Sequence, residues 1–183
     1  ACALRQGKAT YDLRNGRTGK ITNVFVALGS IGEYVSMLMF LESAFTGSVN
    51  DDEYDIRIRP HPERTLQSAV DIAPLSQSDF FSESSGSLDE DLRWADIVLY
   101  SSSTVALESI ASGIPAIFAD LGNYIETDPM AGWDQFKWEV KQPSELIPAI
   151  RSIESLTARE YQDRQSGGQV YVSRYLEPVT PKG

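Results

Sequence analysis

Residues 96–120 read DIVLYSSSTVALESIASGIPAIFAD, and their order decides the fold. The run from Ile97 to Tyr100 is apolar and short, as in a strand buried on both faces. Four hydroxyl residues follow, Ser101 to Thr104, and such side chains cap the unpaired N–H groups of a helix start. The helix they open is closed by Gly113, because glycine takes the left-handed conformation that ends helices. Ile114-Pro115 then leads into a second apolar run through Ala119. Strand, helix and strand over so few residues predict parallel strands joined by a right-handed crossover.

The same alternation extends in both directions. ITNVFVALGS, residues 21–30, is a β-branched run ending at Gly29, and Ile31, Tyr34, Val35, Leu38 and Phe45 follow at helical spacing. EYDIRIRP, residues 53–60, alternates apolar and basic residues and is stopped by Pro60 and Pro62. SDFFSES, residues 78–84, reads as a short third strand, and Ser87 with Glu90 forms a capping box that opens a helix to about Ala95. FKWEV, residues 136–140, reads as a sixth strand. Pro143 and Ser144 start a helix with a core stripe of Leu146, Ile147, Ile150 and Ile153, and Thr157 with Glu160 is a further capping box. Beyond Gly167-Gly168, QVYVSRYL reads as a last short helix or an extended arm. The expectation is an α/β domain over 21–178: a doubly wound, mostly parallel Rossmann-like sheet of about five to six strands, with helices on both faces. Residues 1–20 read as a linker from a missing N-terminal domain, and 179–183 as a tail.

Composition narrows the function. The chain has 183 residues, 42% of them apolar, and a formal net charge of −10. A nucleic-acid binder neutralises phosphates with a basic surface, and an anionic membrane attracts one, so both partners are excluded as general ligands. Cys2 and His61 are each the only residue of their kind, which removes a disulfide, a thiolate zinc site and a histidine-rich metal centre. Asp51-Asp52-Glu53 precedes a strand and reads as a solvated turn, so no obligatory metal is expected. No apolar stretch is long enough for a bilayer span. The chain therefore reads as cytoplasmic, reaching the inner membrane only through further segments or partners.

Three expected strand ends carry polar groups suited to chemistry. Gly29, Ser30 and Gly32 lie in a turn between strand and helix. The turn is either a plain connection or a place where backbone N–H groups meet an anion. His61 stands between two prolines after the second strand, either as a surface histidine in a stiff loop or as a rigid donor to a phosphate or leaving group. Ser102, Ser103 and Thr104 sit at a helix start, with Glu108 one turn on from Thr104. They are either a well-capped helix with a solvated acid, or a phosphate cradle whose carboxylate accepts from a ribose. In doubly wound folds these ends share one edge, where ligands bind at the reversal of strand order.

Residues 20–178 resemble the C-terminal, donor-binding half of glycosyltransferases of the two-domain GT-B fold. YSSSTVALESIASGIPAIF looks like that family's hydroxyl-rich turn, acidic helix residue and Gly-x-Pro strand start. RPHP together with SSST is similar to the motifs of bacterial sialyltransferases and of polyol-phosphate transferases that use a CDP-linked donor. The resemblance implies that His61, Ser102, Ser103 and Thr104 hold the donor phosphate, His61 as the catalytic donor. Glu108 would hold the ribose, and Gly29 and Ser30 the first phosphate-facing turn. It implies a nucleotide donor and a glycan or lipid-linked acceptor brought by the N-terminal domain, where the general base usually lies. The Gly-Gly of many UDP-sugar enzymes is absent before the acidic helix, which favours CMP or CDP donors. Two alternatives share the plan: half of a nucleotide-sugar 2-epimerase, and a non-catalytic nucleotide-binding domain.

Overall fold

The computed structural model describes residues 22–29, 31–45, 53–62, 65–71, 73, 80–122 and 127–175. The expected linker 1–20, Ser30 and the tail 179–183 lie outside these residues. Along the chain come β1 (Thr22–Ala27), α1 (Tyr34–Phe45), β2 (Tyr54–Arg59), α2 (Gln67–Val70), β3 (Ser82–Glu83) and α3 (Leu88–Trp94). Then follow β4 (Ile97–Tyr100), α4 (Val105–Ala111), β5 (Ala116–Ala119), β6 (Lys137–Val140), α5 (Leu146–Glu154) and α6 (Ala158–Val172). Single turns of 3₁₀ helix at Ile31–Glu33 and Pro143–Glu145 lead into α1 and α5.

The six strands form one parallel sheet in the order β3-β2-β1-β4-β5-β6. This is the doubly wound plan the sequence predicts. The chain first winds outward from β1 to β3, then returns to the centre and winds outward through β4 to β6. Strand alternation divides the core accordingly. Val24, Val26, Ile97, Leu99, Ile117 and Ala119 face α1 and α5 with Met37, Leu38, Leu41 and Ile150. The intervening Phe25, Ala27 and Val98 pack with Leu92 and Ala95, while Tyr100, Ala116 and Phe118 pack with Ile110, Phe136 and Val172. Each fully buried aliphatic or aromatic side chain contributes about 1.5–3 kcal/mol. The sheet therefore needs apolar residues at successive strand positions, as β1, β4 and β5 have.

Helix ends follow the sequence closely, with two exceptions. Ser87 and Glu90 close the capping box of α3, and Thr157 and Glu160 that of α6. Hydrogen bonds from Ser87 and Thr157 hold the Glu90 and Glu160 carboxyls below the ordinary glutamate value. After α4, Gly113 has φ +77°; its N–H meets the Ile110 carbonyl at 3.0 Å and the Ile114 N–H meets the Ser109 carbonyl at 2.9 Å. That is a Schellman motif. The first exception is the start of α4. Thr104 is already helical and makes no side-chain cap, and the Val105 N–H reaches Ser103 Oγ only at 3.4 Å. The turn is instead closed by backbone bonds from Ala106 to Ser103 and from Leu107 to Thr104.

The second exception is the glycine pair. α6 runs unbroken through Gly167-Gly168 to Val172, so QVYV belongs to the preceding helix. These glycines mark close packing and no break. A Cβ on Gly168 would stand 2.8 Å from Ile110 Cγ2 and 3.5 Å from the Trp133 ring.

Candidate functional site

Parallel strands put the segments after β1, β2 and β4 at one edge of the sheet. The reversal of strand order falls between β1 and β4. Gly29 and Ser102 lie just beyond those two strands, and the two loops touch. A Cβ at Gly29 would collide with Ser102 Oγ and stand 3.0 Å from the Ser102 carbonyl carbon. Close approach of two backbones, and no special φ, is what requires glycine here.

Two adjacent side chains at the start of α1 tie the three loops together. Glu33 is only 6% exposed, and one carboxylate oxygen accepts from Ser102 Oγ at 2.7 Å. The hydroxyl of Tyr34, itself buried, accepts from the backbone N–H of His61. The β1 turn thus reaches the β4 turn through Glu33 and the β2 loop through Tyr34. Gly29, Ser102 and His61 are brought to one edge. Ser103 is buried and Thr104 exposed in the same turn, and Glu108 is half-buried in the first turn of α4. His61 itself is exposed. Ser30 lies outside the described residues.

Sequence reasoning does not single out Glu33 and Tyr34 as site residues. Glu33 stands in the turn read as a phosphate approach, yet its partner is 69 positions away. No spacing within one element could announce it. Ser101 is read only as one of the four hydroxyls at the helix start. It is 1% exposed, and its hydroxyl has no hydrogen-bond partner among the described residues. Its carbonyl accepts from Thr127 Oγ1 at 3.1 Å.

Beneath and beside this edge, the cations are committed to acids. Arg59, the last residue of β2, donates to Asp91 Oδ2 at 2.7 Å, to the Gly86 carbonyl at 2.8 Å and to Ser84 Oγ at 3.1 Å. Arg57 lies 3.4 Å from the other oxygen of the fully buried Asp91, its guanidinium 3.9 Å from the centre of the Trp94 ring. This network fixes β2 to β3 and α3. Behind the hydroxyl turn, Lys137 of β6 pairs with Asp128, both buried. Asp128 also accepts from Tyr100 Oη at 2.6 Å and from the Met130 N–H at 2.9 Å. Among the described residues no group of three His, Cys, Asp or Glu is placed to hold a metal ion, and no helix is long and apolar enough to cross a membrane.

No family model and no curated protein matches the chain. Solved structures do. The glycotransferase of kitacinnamycin matches with a TM-score of 0.52 at 14% identity, over 92% of this chain and 44% of that one. The wall teichoic acid polymerase TagF matches with 0.55 at 17%, over 89% and 41%. The catalytic domain of the cholesterol-α-glucosyltransferase from Helicobacter pylori matches with 0.53 at 14%, over 85% and 99%. The chain shares the fold of a domain in each of these structures. It spans less than half the length of the first two structures.

Proposed function

We propose that the chain is the donor-nucleotide-binding half of a GT-B glycosyltransferase. It would serve transfer of a sugar or polyol phosphate from an activated nucleotide to a glycan or lipid-linked acceptor. One observation carries the reading: at the reversal of strand order, the turns after β1 and β4 meet through Gly29, Glu33 and Ser102, with the His61 loop attached through Tyr34. Doubly wound folds bind nucleotides at that point.

In sugar transfer the difficult event is departure of the nucleotide phosphate from the anomeric carbon. In polyol-phosphate transfer the acceptor oxygen attacks phosphorus and the diphosphate P–O bond breaks, with CMP leaving. In both, negative charge grows on the leaving phosphate oxygen. Fixed donors aimed there stabilise the transition state more than the ground state. In this reading Ser102, Ser103 and Thr104 hold the donor phosphate by hydroxyl and backbone N–H groups, with Gly29 and Ser30 as the opposing turn. His61 donates to the leaving oxygen, and Glu108 accepts from the ribose hydroxyls. No step requires a metal. CDP- or CMP-linked donors are preferred, and the acceptor and the general base come from another domain. The fold also suits half of a nucleotide-sugar 2-epimerase, since a protein described as a UDP-N-acetylglucosamine 2-epimerase from Listeria monocytogenes shares it at a TM-score of 0.54. Epimerised sugar would distinguish that reading from transfer.

The test is a calorimetric matrix of wild type, His61→Ala, Ser103→Ala and Glu108→Gln against cytidine and uridine nucleosides, mono- and diphosphates, with 2′-deoxy controls. His61→Ala and Ser103→Ala should weaken nucleotides and spare nucleosides; Glu108→Gln should weaken both and abolish ribose preference. A charge-assisted bond lost is worth about 1.5–3 kcal/mol. Equal effects on nucleoside and nucleotide would remove His61 from the phosphate. Retained ribose discrimination in Glu108→Gln would reduce Glu108 to a helix-surface acid.

A further inference from the structure

Glu33 is an anion in a place assigned to an anionic ligand. It is nearly buried, and among the described residues its hydrogen-bond partner is the single hydroxyl of Ser102. An ionised carboxylate accepts at two oxygens and offers about four lone-pair positions, and burying it is unfavourable unless they are filled. Among the described residues no cation pairs with it. Arg57 and Arg59 turn to Asp91, and Lys137 turns to Asp128. The carboxylate is therefore suited to a ligand group that donates and carries no negative charge. A sugar or polyol hydroxyl has that character, while a terminal phosphate is repelled.

Its position supplies a direction. Glu33 is held on Ser102, and Ser103 and Thr104 continue away from it into α4. Resting on the nucleotide reading above, we infer that Glu33 is a specificity-determining residue: it accepts hydroxyls of the glycosyl or polyol portion of the donor and disfavours bare nucleoside diphosphate. The donor then lies with its phosphates toward Ser103 and Thr104 and its uncharged end toward the β1 turn. The ligand's hydroxyls add to the Ser102 bond or replace it, so a full donor gives the carboxylate hydrogen bonds that a bare diphosphate cannot. The spent nucleotide, CMP after polyol-phosphate transfer and a nucleoside diphosphate after transfer of a sugar from a diphosphate donor, lacks those hydroxyls and leaves more readily.

Glu33→Gln tests this, because the amide keeps the volume and an oxygen for the Ser102 hydroxyl while losing the charge. Wild type and variant are titrated by calorimetry with CDP, CDP-glycerol, UDP and UDP-glucose. Wild type should bind at least one conjugate about tenfold or more tighter than its bare diphosphate, and Glu33→Gln should bring that ratio to within about threefold, chiefly by tightening the diphosphate. Ser102→Ala removes the internal donor and a phosphate contact but keeps the carboxylate, so it should weaken diphosphate and conjugate alike and leave their ratio unchanged. An unchanged ratio in Glu33→Gln, or its equal loss in Ser102→Ala, overturns the inference. If wild type binds no nucleotide, the nucleotide reading falls. The role of Glu33 is then decided by the ¹³C resonance of its carboxyl group on adding glycerol or methyl glucoside: a shift supports it, and no shift overturns it.

Discussion

The Asp128–Lys137 pair should be the most stringent internal constraint on the hydroxyl turn, and replacing Asp128 by Asn measures it. Lys137 is fixed on β6 and buried, its ammonium bonded to Asp128 and to the Met130 carbonyl at 3.0 Å, and 5.8 Å from the centre of the Phe118 ring. In Asp128→Asn the Asn oxygen can still accept from Tyr100 Oη and the Met130 N–H. What is lost is the only negative charge bonded to Lys137 among the described residues. Removing one partner of a buried pair costs about 3–5 kcal/mol, because the other charge stays desolvated. At roughly 2–4 °C per kcal/mol for a chain of this size, the midpoint should fall by about 6–20 °C. Lys137→Met should be destabilising alone for the mirror reason.

The double variant Asp128→Asn/Lys137→Met carries no buried charge. Its Asn oxygen retains the Tyr100 and Met130 donors that the carboxylate holds at Oδ1. It should recover to within about 2 kcal/mol of wild type, since a buried ion pair is nearly neutral against an uncharged replacement. The assay is urea unfolding of the four proteins, analysed as a double-mutant cycle with the slope checked for constancy. Additive single effects, or a cost below about 1 kcal/mol for Asp128→Asn, would refute the picture of a dry, charge-compensated anchor.

Two further outcomes follow from the glycines. Gly29→Ala places a methyl group against Ser102 Oγ and 3.1 Å from the Ser103 N–H, so the two turns must part; nucleotide affinity should fall about tenfold or more with a stability loss of about 1–3 kcal/mol, read by calorimetry and urea unfolding, and an unchanged affinity would detach Gly29 from the site. In α6, Gly167→Ala meets only the flexible end of Gln135 and should stabilise by up to about 1 kcal/mol through helix propensity, whereas Gly168→Ala meets Ile110 and should destabilise by about 1–3 kcal/mol; equal thermal midpoints for the two variants would contradict the packing.

What is legible in the sequence, and what is not, divides along sequence distance. The runs at β1, β2, β4 and β5 show themselves because burial on one or both faces imposes a period or an unbroken apolar stretch. The capping boxes at Ser87 and Thr157, and Gly113 after α4, show themselves because partner and cap lie within a turn of each other. Gly167-Gly168 misleads for the opposite reason: a glycine's local meaning is a break, but here its cause is Ile110, on another helix. α2 goes unread because one turn of four residues has no period to detect. The same division runs through the site. Gly29, His61 and Ser102 can be placed at one edge because a parallel topology dictates which strand ends align. Glu33 and Tyr34 cannot be singled out, because their partners arrive from β4 and β2 through crossovers whose register no local pattern encodes. Alternation fixes the face a side chain takes and leaves open which neighbour it meets. The long-range pairs, Glu33 with Ser102 and Tyr34 with His61, are what the structure adds to the edge that topology alone predicts.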